Sequence, residues 1–280
     1  MEYDSAVLER VTQQFRRDMW TSVVPAAVTE SGVEVERFGP VQATAFGDLP
    51  EFVILNQIQG AAEPGAIEDG HLAGAIEWMR SREVHFRIPV ASCRPGAGAA
   101  DAWLDERGYE QADGWIKLVR GTAPPYPAPD PRITIYELGQ DEIDGEALSA
   151  IAAEGMNLPM HAGTLFFSLP QRENWRCYTA ALAPDEPVVA TAAMMIHDGV
   201  AQFGPGNTLE HARGHGCHTA LLRQRLIDAA AAGCHTVVVE LWGCTPERPS
   251  EAARNLIRVG FEVAYAGRTW QRPVLQPALR

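Results

Sequence analysis

The chain has 280 residues, which is long for one small domain and comfortable for two. Its formal net charge of -13 repels nucleic acid and anionic membrane surfaces, and it favours a cationic ligand such as an amine. No apolar run approaches the ~20 residues of a membrane span, and residues 1–20 lack the apolar core of a signal peptide. We therefore expect a cytoplasmic protein without membrane contact, as a monomer or a homodimer.

The five cysteines are odd in number, scattered along the chain, and contain no Cys-x-x-Cys pair. That distribution argues against a disulfide framework and against a structural zinc site. The residues concerned are Cys93, Cys177, Cys217, Cys234 and Cys244.

The first half of the chain predicts a mixed α/β arrangement. Apolar residues recur on one side of 3–19, which is typical of an amphipathic helix. Short apolar segments separated by Gly-containing turns then predict strands, and Ala- and Leu-rich segments predict helices. The predicted strands are 33–38, 41–46, 52–58, 84–90 and 114–120, and the predicted helices after the first are 67–81 and 99–107.

Residues 121–132 contain five prolines, which is typical of a stiff, extended linker. We predict a domain boundary there. The expected division is a domain over 1–121, a Pro-rich linker over 122–132 and a second domain over 133–280.

The second half repeats the order of strands and helices, and Asp198-Gly199 marks a hairpin turn. The Val-Val-Val run in 236–242 indicates a central strand covered on both faces. The predicted strands are 133–138, 176–182, 188–197, 200–208, 236–242 and 261–270; the predicted helices are 142–154, 219–232 and 250–258; and 156–170 is expected to be irregular or partly helical, with a tail from 273.

A tight turn over 213–218 connects the strand at 200–208 to the helix at 219–232, and it reads Arg213-Gly214-His215-Gly216-Cys217-His218. Its two glycines let the backbone curl with its N–H groups pointing one way. The first-turn N–H groups of a helix have no partner within the helix. Together with the helix dipole they predict an anion site that suits a diphosphate.

This turn resembles the Arg/Gln-x-x-Gly-x-Gly/Ala acyl-CoA loop of the GCN5-related N-acetyltransferase (GNAT) superfamily. The departure is His218, where the family usually has Gly or Ala. The resemblance covers about 133–271 well and about 20–120 in outline, where Gly108-Tyr109 parallels Gly260-Phe261. It implies an α/β (α+β) fold of two GNAT-like domains, each a mixed, mostly antiparallel sheet flanked by helices. The N-terminal domain is expected to be degenerate, because it lacks the loop motif.

The resemblance also implies a function, an N-acyltransferase that uses acetyl-CoA or another acyl-CoA, without a metal, to acylate the amine of a small molecule. A backbone N–H near Leu209 would then face the thioester carbonyl and stabilise the developing oxyanion. The implied cofactor-binding residues are Thr208, Leu209, Arg213, Gly214, His215, Gly216, Cys217, His218 and Asn255.

Three residues are candidates for proton transfer. Glu240 lies near the carboxyl end of the 236–242 strand, the usual ligand side of such a sheet, and it is either a general base or the ion-pair partner of an arginine. His197, at the hairpin, is either a turn residue or an alternative base. Many relatives have a tyrosine as general acid where this chain has Leu256, so Tyr265 is a possible substitute.

His211, His215 and His218 have a spacing that could suggest a metal site, but no carboxylate or cysteine set accompanies them. We interpret them as neighbours of phosphate or ribose.

Two other functions remain open. One is a GNAT-fold transferase that takes its acyl group from another carrier such as aminoacyl-tRNA, which the net charge opposes. The other is a non-catalytic GNAT-fold ligand-binding protein, which the missing general acid allows.

Overall fold

The structure is a computed structural model, and it describes residues 3–21, 32–123, 131–139, 142–155, 166 and 169–273. All of the tail predicted from 273 except Pro273 itself, most of the linker and most of the irregular 156–170 stretch lie outside these residues. The helices are α1 (Ser5–Thr21), α2 (His71–Arg80), α3 (Ala97–Asp105), α4 (Glu142–Gly155), α5 (Cys217–Ala231) and α6 (Glu251–Arg258). The strands are β1 (Val33–Phe38), β2 (Val41–Phe46), β3 (Gln57–Gln59), β4 (Arg87–Ala91), β5 (Glu110–Arg120), β6 (Thr134–Glu137), β7 (Trp175–Ala181), β8 (Val188–His197), β9 (Val200–Thr208), β10 (Thr236–Trp242) and β11 (Glu262–Gln271).

The chain forms two compact units, and each is built from segments that are far apart in sequence. Unit 1 contains Met1–Glu30, Leu118–Glu240 and Ala253–Glu262. Unit 2 contains Ser31–Lys117, Leu241–Ala252 and Val263–Arg280. The division predicted at the Pro-rich linker is consecutive in sequence, whereas these units take α1 and most of β11 from the opposite ends of the chain.

Unit 1 is organised around a sheet with the strand order β10-β9-β8-β7-β6. Strands β6 to β9 pair antiparallel with their neighbours, and β10 is parallel to β9. The Val237–Val239 run of β10 is buried, as a strand covered on both faces should be. The sheet is therefore mixed and mostly antiparallel, and the fold class predicted for this unit is confirmed.

Helix α1 packs on the unit 1 sheet through an apolar side that includes Leu8, Val11 and Phe15, all buried. The Phe15 ring lies 4.9 Å from the Trp175 ring of β7. Thr12 Oγ1 also donates a hydrogen bond of 3.0 Å to Gln202 Oε1 of β9. Because buried polar groups must find partners, this contact fixes where the helix lies along the strand.

Unit 2 contains the strand order β1-β2-β3-β4-β11, flanked by α2 and α3. Strands β1, β2 and β3 pair antiparallel, β3 and β4 pair parallel, and β11 pairs antiparallel with β4. Leu72 and Met79 of α2 and Leu104 of α3 are buried in its core. This unit too is a mixed, mostly antiparallel sheet with helices, as the sequence predicted.

One predicted strand, 52–58, is largely wrong. Only Gln57–Gln59 forms a strand, and the residues before it make successive turns such as Leu55 N–H to Phe52 O. The buried Asn56 organises those turns: its Oδ1 accepts from Phe46 N–H at 2.7 Å and its Nδ2 donates to Leu49 O at 2.9 Å. Asparagine side chains compete with strand pairing in this way.

Candidate functional site

The turn at 213–216 leads directly into α5, which begins at Cys217. Gly214 and Gly216 have φ values of +81° and +92°, a region that glycine adopts without steric cost. Arg213, Gly214, His215 and Gly216 are all exposed. The loop predicted from the sequence is therefore present, open and shaped by its glycines.

Gly216 is the capping residue of α5, and no side chain among the described residues caps this N-terminus. Ala220 N–H donates to Gly216 O, so the N–H groups of Cys217, His218 and Thr219 precede the first intrahelical bond. Such N–H groups, aligned with the positive end of the helix dipole, bind anions. Within the part of the chain that the structure describes, no atom lies within 4 Å of the place where a Gly214 Cβ would be, so a ligand has room against this backbone.

Strand β9 separates from β10 just before this loop. The paired residues run from Thr236↔Val200 to Val239↔Phe203, and β9 then continues to Thr208 along β8. Among the described residues, the stretch after Phe203 has no assigned partner in β10. A gap between these two strands therefore begins after Phe203, on the side of β9 that faces away from β8.

The hydrogen-bond register corrects the candidate oxyanion donor. Leu209 N–H donates to Val189 O of β8 at 2.9 Å, so it does not point into the gap. Because successive N–H groups of a strand alternate in direction, those of Thr208 and Gly206 point away from β8, towards the gap. Arg213 Nε donates to Thr208 O at 3.3 Å and connects the loop to this edge.

His218 is placed in the first turn of α5. Burial, with a smaller effect of Arg225, lowers the pKa of His218 to about 4. The imidazole is therefore neutral near pH 7 and can act as a hydrogen-bond donor or acceptor but not as a cation. Cys217 beside it is buried, and burial raises the pKa of its thiol, which opposes a thiolate nucleophile.

Glu240 lies at the level where β10 leaves β9, and its carboxylate forms an ion pair with Arg16 of α1. The Arg16 and Glu240 side chains are 9% and 7% exposed, respectively, so the pair is shielded from water. Burial lowers the pKa of Arg16 to about 10. Of the two interpretations open from the sequence, the ion pair is present, and any proton transfer by Glu240 would take place on a carboxylate that Arg16 already contacts.

The geometry contradicts His197 as a base at this loop. His197 ends β8, and the turn after it leads into β9 at Val200, whereas the loop follows the other end of β9 at Thr208. The nine residues of β9 separate those two ends by about 26 Å. The half-exposed His197 ring instead lies 3.6 Å from Asp198 in the turn.

The remaining candidates lie on α6 and β11. Asn255 Oδ1 accepts a hydrogen bond of 2.6 Å from Arg258 Nη1 on the same helix, so its amide oxygen is already engaged. Leu256, which stands where the family that the sequence resembles usually has a tyrosine, is buried. Tyr265 belongs to unit 2, where its ring packs edge-on against Trp115 at 6.1 Å, and the Lys117 ammonium lies 5.9 Å from it.

Unit 2 has an equivalent turn before α2, with Gly70 at φ +73° as its capping residue. Backbone N–H groups of this turn donate to carbonyls of the same turn, Leu72 N–H to Ala66 O and Gly70 N–H to Ile67 O. Glu68 and Asp69 add negative charge, whereas Glu63 is paired with Arg94. The turn is therefore less suited to a diphosphate than the one before α5, and a single cofactor loop per chain stays a prediction.

Sequence reasoning missed Arg16 and Arg225, both buried. Nothing in the local pattern of α1 marked Arg16 as buried rather than solvated, and 224 residues separate it from Glu240. Arg225 lies on the same side of α5 as the buried Leu221 and Leu222, which is a signal that periodicity could have used.

Within the described ranges, no group of three or more His, Cys, Asp or Glu side chains could hold a metal ion. None of the helices that the structure describes combines the length and the apolar character that crossing a bilayer requires.

No protein-family model matches the sequence, and neither does any curated protein. Solved structures do resemble the fold. A GCN5-related N-acetyltransferase from Kribbella flavida aligns with a TM-score of 0.63 at 18% identity over 92% of this chain and 95% of its own. One from Sphaerobacter thermophilus aligns with a TM-score of 0.62 at 16% identity over 85% and 82%. A tandem GNAT protein of the clavulanic acid biosynthesis pathway aligns with a TM-score of 0.59 at 14% identity over 82% and 77%. The fold is that of GCN5-related N-acetyltransferases, in the tandem arrangement.

Proposed function

We propose that the protein is an N-acyltransferase that uses an acyl-CoA, with acetyl-CoA as the first choice, to acylate the amine of a small molecule. The observation that carries the proposal is the uncapped start of α5 behind the Gly214–Gly216 turn, beside the edge that β9 exposes where it leaves β10. A fold shared with acetyltransferases supports this chemistry, but a fold alone does not assign a function.

The residues fit the parts of an acyl-CoA. The N–H groups of Cys217, His218 and Thr219, with the open space over Gly214, suit the diphosphate. The exposed edge of β9 suits an extended arm that carries amide groups, because strand backbone pairs with such groups. A bound acyl-CoA would supply an activated thioester.

The backbone at Gly206 and Thr208 would orient the thioester carbonyl and stabilise negative charge on its oxygen, because their N–H groups point away from β8. Holding the amine and the thioester together would contribute much of the rate. Glu240 stays the candidate general base, with Arg16 as the residue that holds its carboxylate near the end of β10. The leaving thiolate has a low enough basicity to depart without a dedicated acid, and Tyr265 stays the alternative proton donor.

The net charge of -13 supports a cationic acceptor and opposes a nucleic-acid carrier such as aminoacyl-tRNA. The acceptor is therefore sought among small amines.

The test combines calorimetry with acetyl-CoA, mass spectrometry of the purified protein for bound acyl-CoA, and a thiol-release assay over a panel of amines. Binding at one site per chain with amine-dependent thiol release supports the proposal. Absence of both acyl-CoA binding and co-purified CoA would refute it. Binding without release for any amine would favour a ligand-binding protein instead.

A further inference from the structure

The last point of contact between β9 and β10 coincides with a bulge in β9. Two registers meet there, with Ala192↔Gly206 on one side and Met194↔Phe203 on the other. Gly204 and Pro205 of β9 therefore oppose the single residue Ala193 of β8. Bulges of this kind redirect a strand and often lie next to functional sites.

The carbonyl of Ala193 points towards that bulge. Ile196 N–H donates to Asn174 O beside β7, and main-chain groups alternate along a strand, so Ala193 directs its own groups towards β9. One of the two residues opposite it is Pro205, which has no N–H to donate. The bulge therefore offers the Ala193 carbonyl one backbone N–H donor instead of two.

Arg225 of α5 supplies a donor at this place. Its Nη1 donates to Ala193 O at 3.1 Å, and its Nε donates to Leu221 O at 3.3 Å on its own helix. The guanidinium carbon lies 4.4 Å from the ring centre of Phe203, the last β9 residue paired with β10. One side chain thus contacts the residue that precedes the bulge in β9 and the residue opposite the bulge in β8.

This arrangement is costly in solvation. Arg225 is 4% exposed, and burial lowers the pKa of its guanidinium to about 10. Among the residues that the structure describes, no carboxylate lies within ion-pair distance of it. A buried cation without a carboxylate partner is unfavourable for stability alone, and an apolar side chain of similar length would fill the space with less desolvation.

We propose that Arg225 is a positioning residue that fixes the bulge of β9 to α5, so that the Gly206–Thr208 edge is held in register with the anion site at the start of the same helix. The inference rests on the proposed function, because that edge is assigned to the extended, amide-containing arm of the acyl-CoA, its pantetheine arm. Arg225 would not touch the ligand and would act through Phe203 and Ala193.

The experiment compares Arg225→Met, which keeps the length of the side chain without its donors, with Arg225→Lys, which keeps the charge and one donor group. Tyr178→Phe is the matched control, because it removes the 2.8 Å hydrogen bond that Tyr178 OH donates to Asp228 of α5 and leaves the donors of Arg225 to Ala193 O and Leu221 O in place. Two probes are titrated by calorimetry, CoA and 3′-phosphoadenosine 5′-diphosphate, which has the diphosphate but not the pantetheine arm. Hydrogen exchange of residues 203–209 is measured without ligand.

We expect Arg225→Met to weaken CoA binding about tenfold or more, the effect of one charge-assisted hydrogen bond, and to leave binding of the truncated nucleotide within about twofold. Its 203–209 amides should exchange faster, Arg225→Lys should give an intermediate result, and Tyr178→Phe should match the wild type. Unchanged CoA affinity with unchanged exchange in Arg225→Met overturns the inference, as do equal losses for both probes and misfolding of both arginine variants. A wild type that binds neither probe refutes the proposed function instead, while the exchange measurement still decides whether Arg225 holds the bulge.

Discussion

Replacing Gly216 by alanine tests the anion site most directly. Gly216 has φ +92° and ψ -5°, where an L-residue is strained by about 1–2 kcal/mol. The new Cβ would also lie 3.2 Å from Ile133 Cδ1, so the turn must move slightly to relieve both effects. Any such movement displaces the first N–H groups of α5. Loss of one hydrogen bond to a charged group costs about 1.5–3 kcal/mol, so we expect CoA affinity to fall about 10- to 100-fold.

Gly233→Ala is the matched control, since Gly233 has φ +78° just after the other end of α5 and no atom lies within 4 Å of the place that its Cβ would take. Both variants should lose about 1–2 kcal/mol of stability, which lowers Tm by a few degrees for each kcal/mol. Only Gly216→Ala should lose CoA affinity, by calorimetry. Equal CoA affinity in the two variants, with comparable loss in Tm, would show that the start of α5 does not bind the diphosphate.

Three further predictions concern the general base, the dependence of stability on pH and the number of CoA molecules bound per chain. Glu240→Gln should lower kcat/KM by roughly 10²–10⁴-fold and the free energy of unfolding by about 3–5 kcal/mol. Adding Arg16→Met should restore thermal stability but not activity. Recovery of both would assign Glu240 a structural role only. Burial lowers the pKa of His218 to about 4, so the folded protein binds fewer protons than the unfolded chain between about pH 4 and 6.5. The wild type should therefore lose about 3 kcal/mol of stability as pH falls through that window, and His218→Gln should not show this loss. Denaturant titrations at several pH values measure this against His215→Gln in the same loop, and parallel curves for wild type and His218→Gln would contradict it. Calorimetry should give one CoA per chain, because the 60–70 turn carries carboxylates, whereas two sites would require a second cofactor loop in unit 2.

The sequence was informative where one local signal dominated. The bounds of β9, Val200–Thr208, and of β10, Thr236–Trp242, match the predicted strands because alternation, the valine run and the flanking turn residues all agree. The loop at 213–216 was visible because glycine is needed wherever φ is positive.

What could not be predicted depended on contacts distant in sequence or on register. The ion pair of Arg16 with Glu240 joins an N-terminal helix to a C-terminal strand, and no local pattern encodes that partnership. The direction of the Leu209 N–H depends on which β8 residue it faces, and a shift of one residue would reverse it. Asn56 acted through its side chain and overrode the strand propensity of its neighbours.

The interleaving of the chain between the units has a consequence for biosynthesis. In unit 2, β11 pairs with β4 from Gly267↔Ala91 to Gln271↔Arg87. During synthesis β4 therefore lacks this partner until the ribosome has added more than 170 further residues. Until then β4 presents unpaired backbone to the surrounding solvent, a template for association with other chains. The nascent unit 2 is therefore expected to depend on chaperones, and to acquire protease resistance only once β11 has left the ribosome.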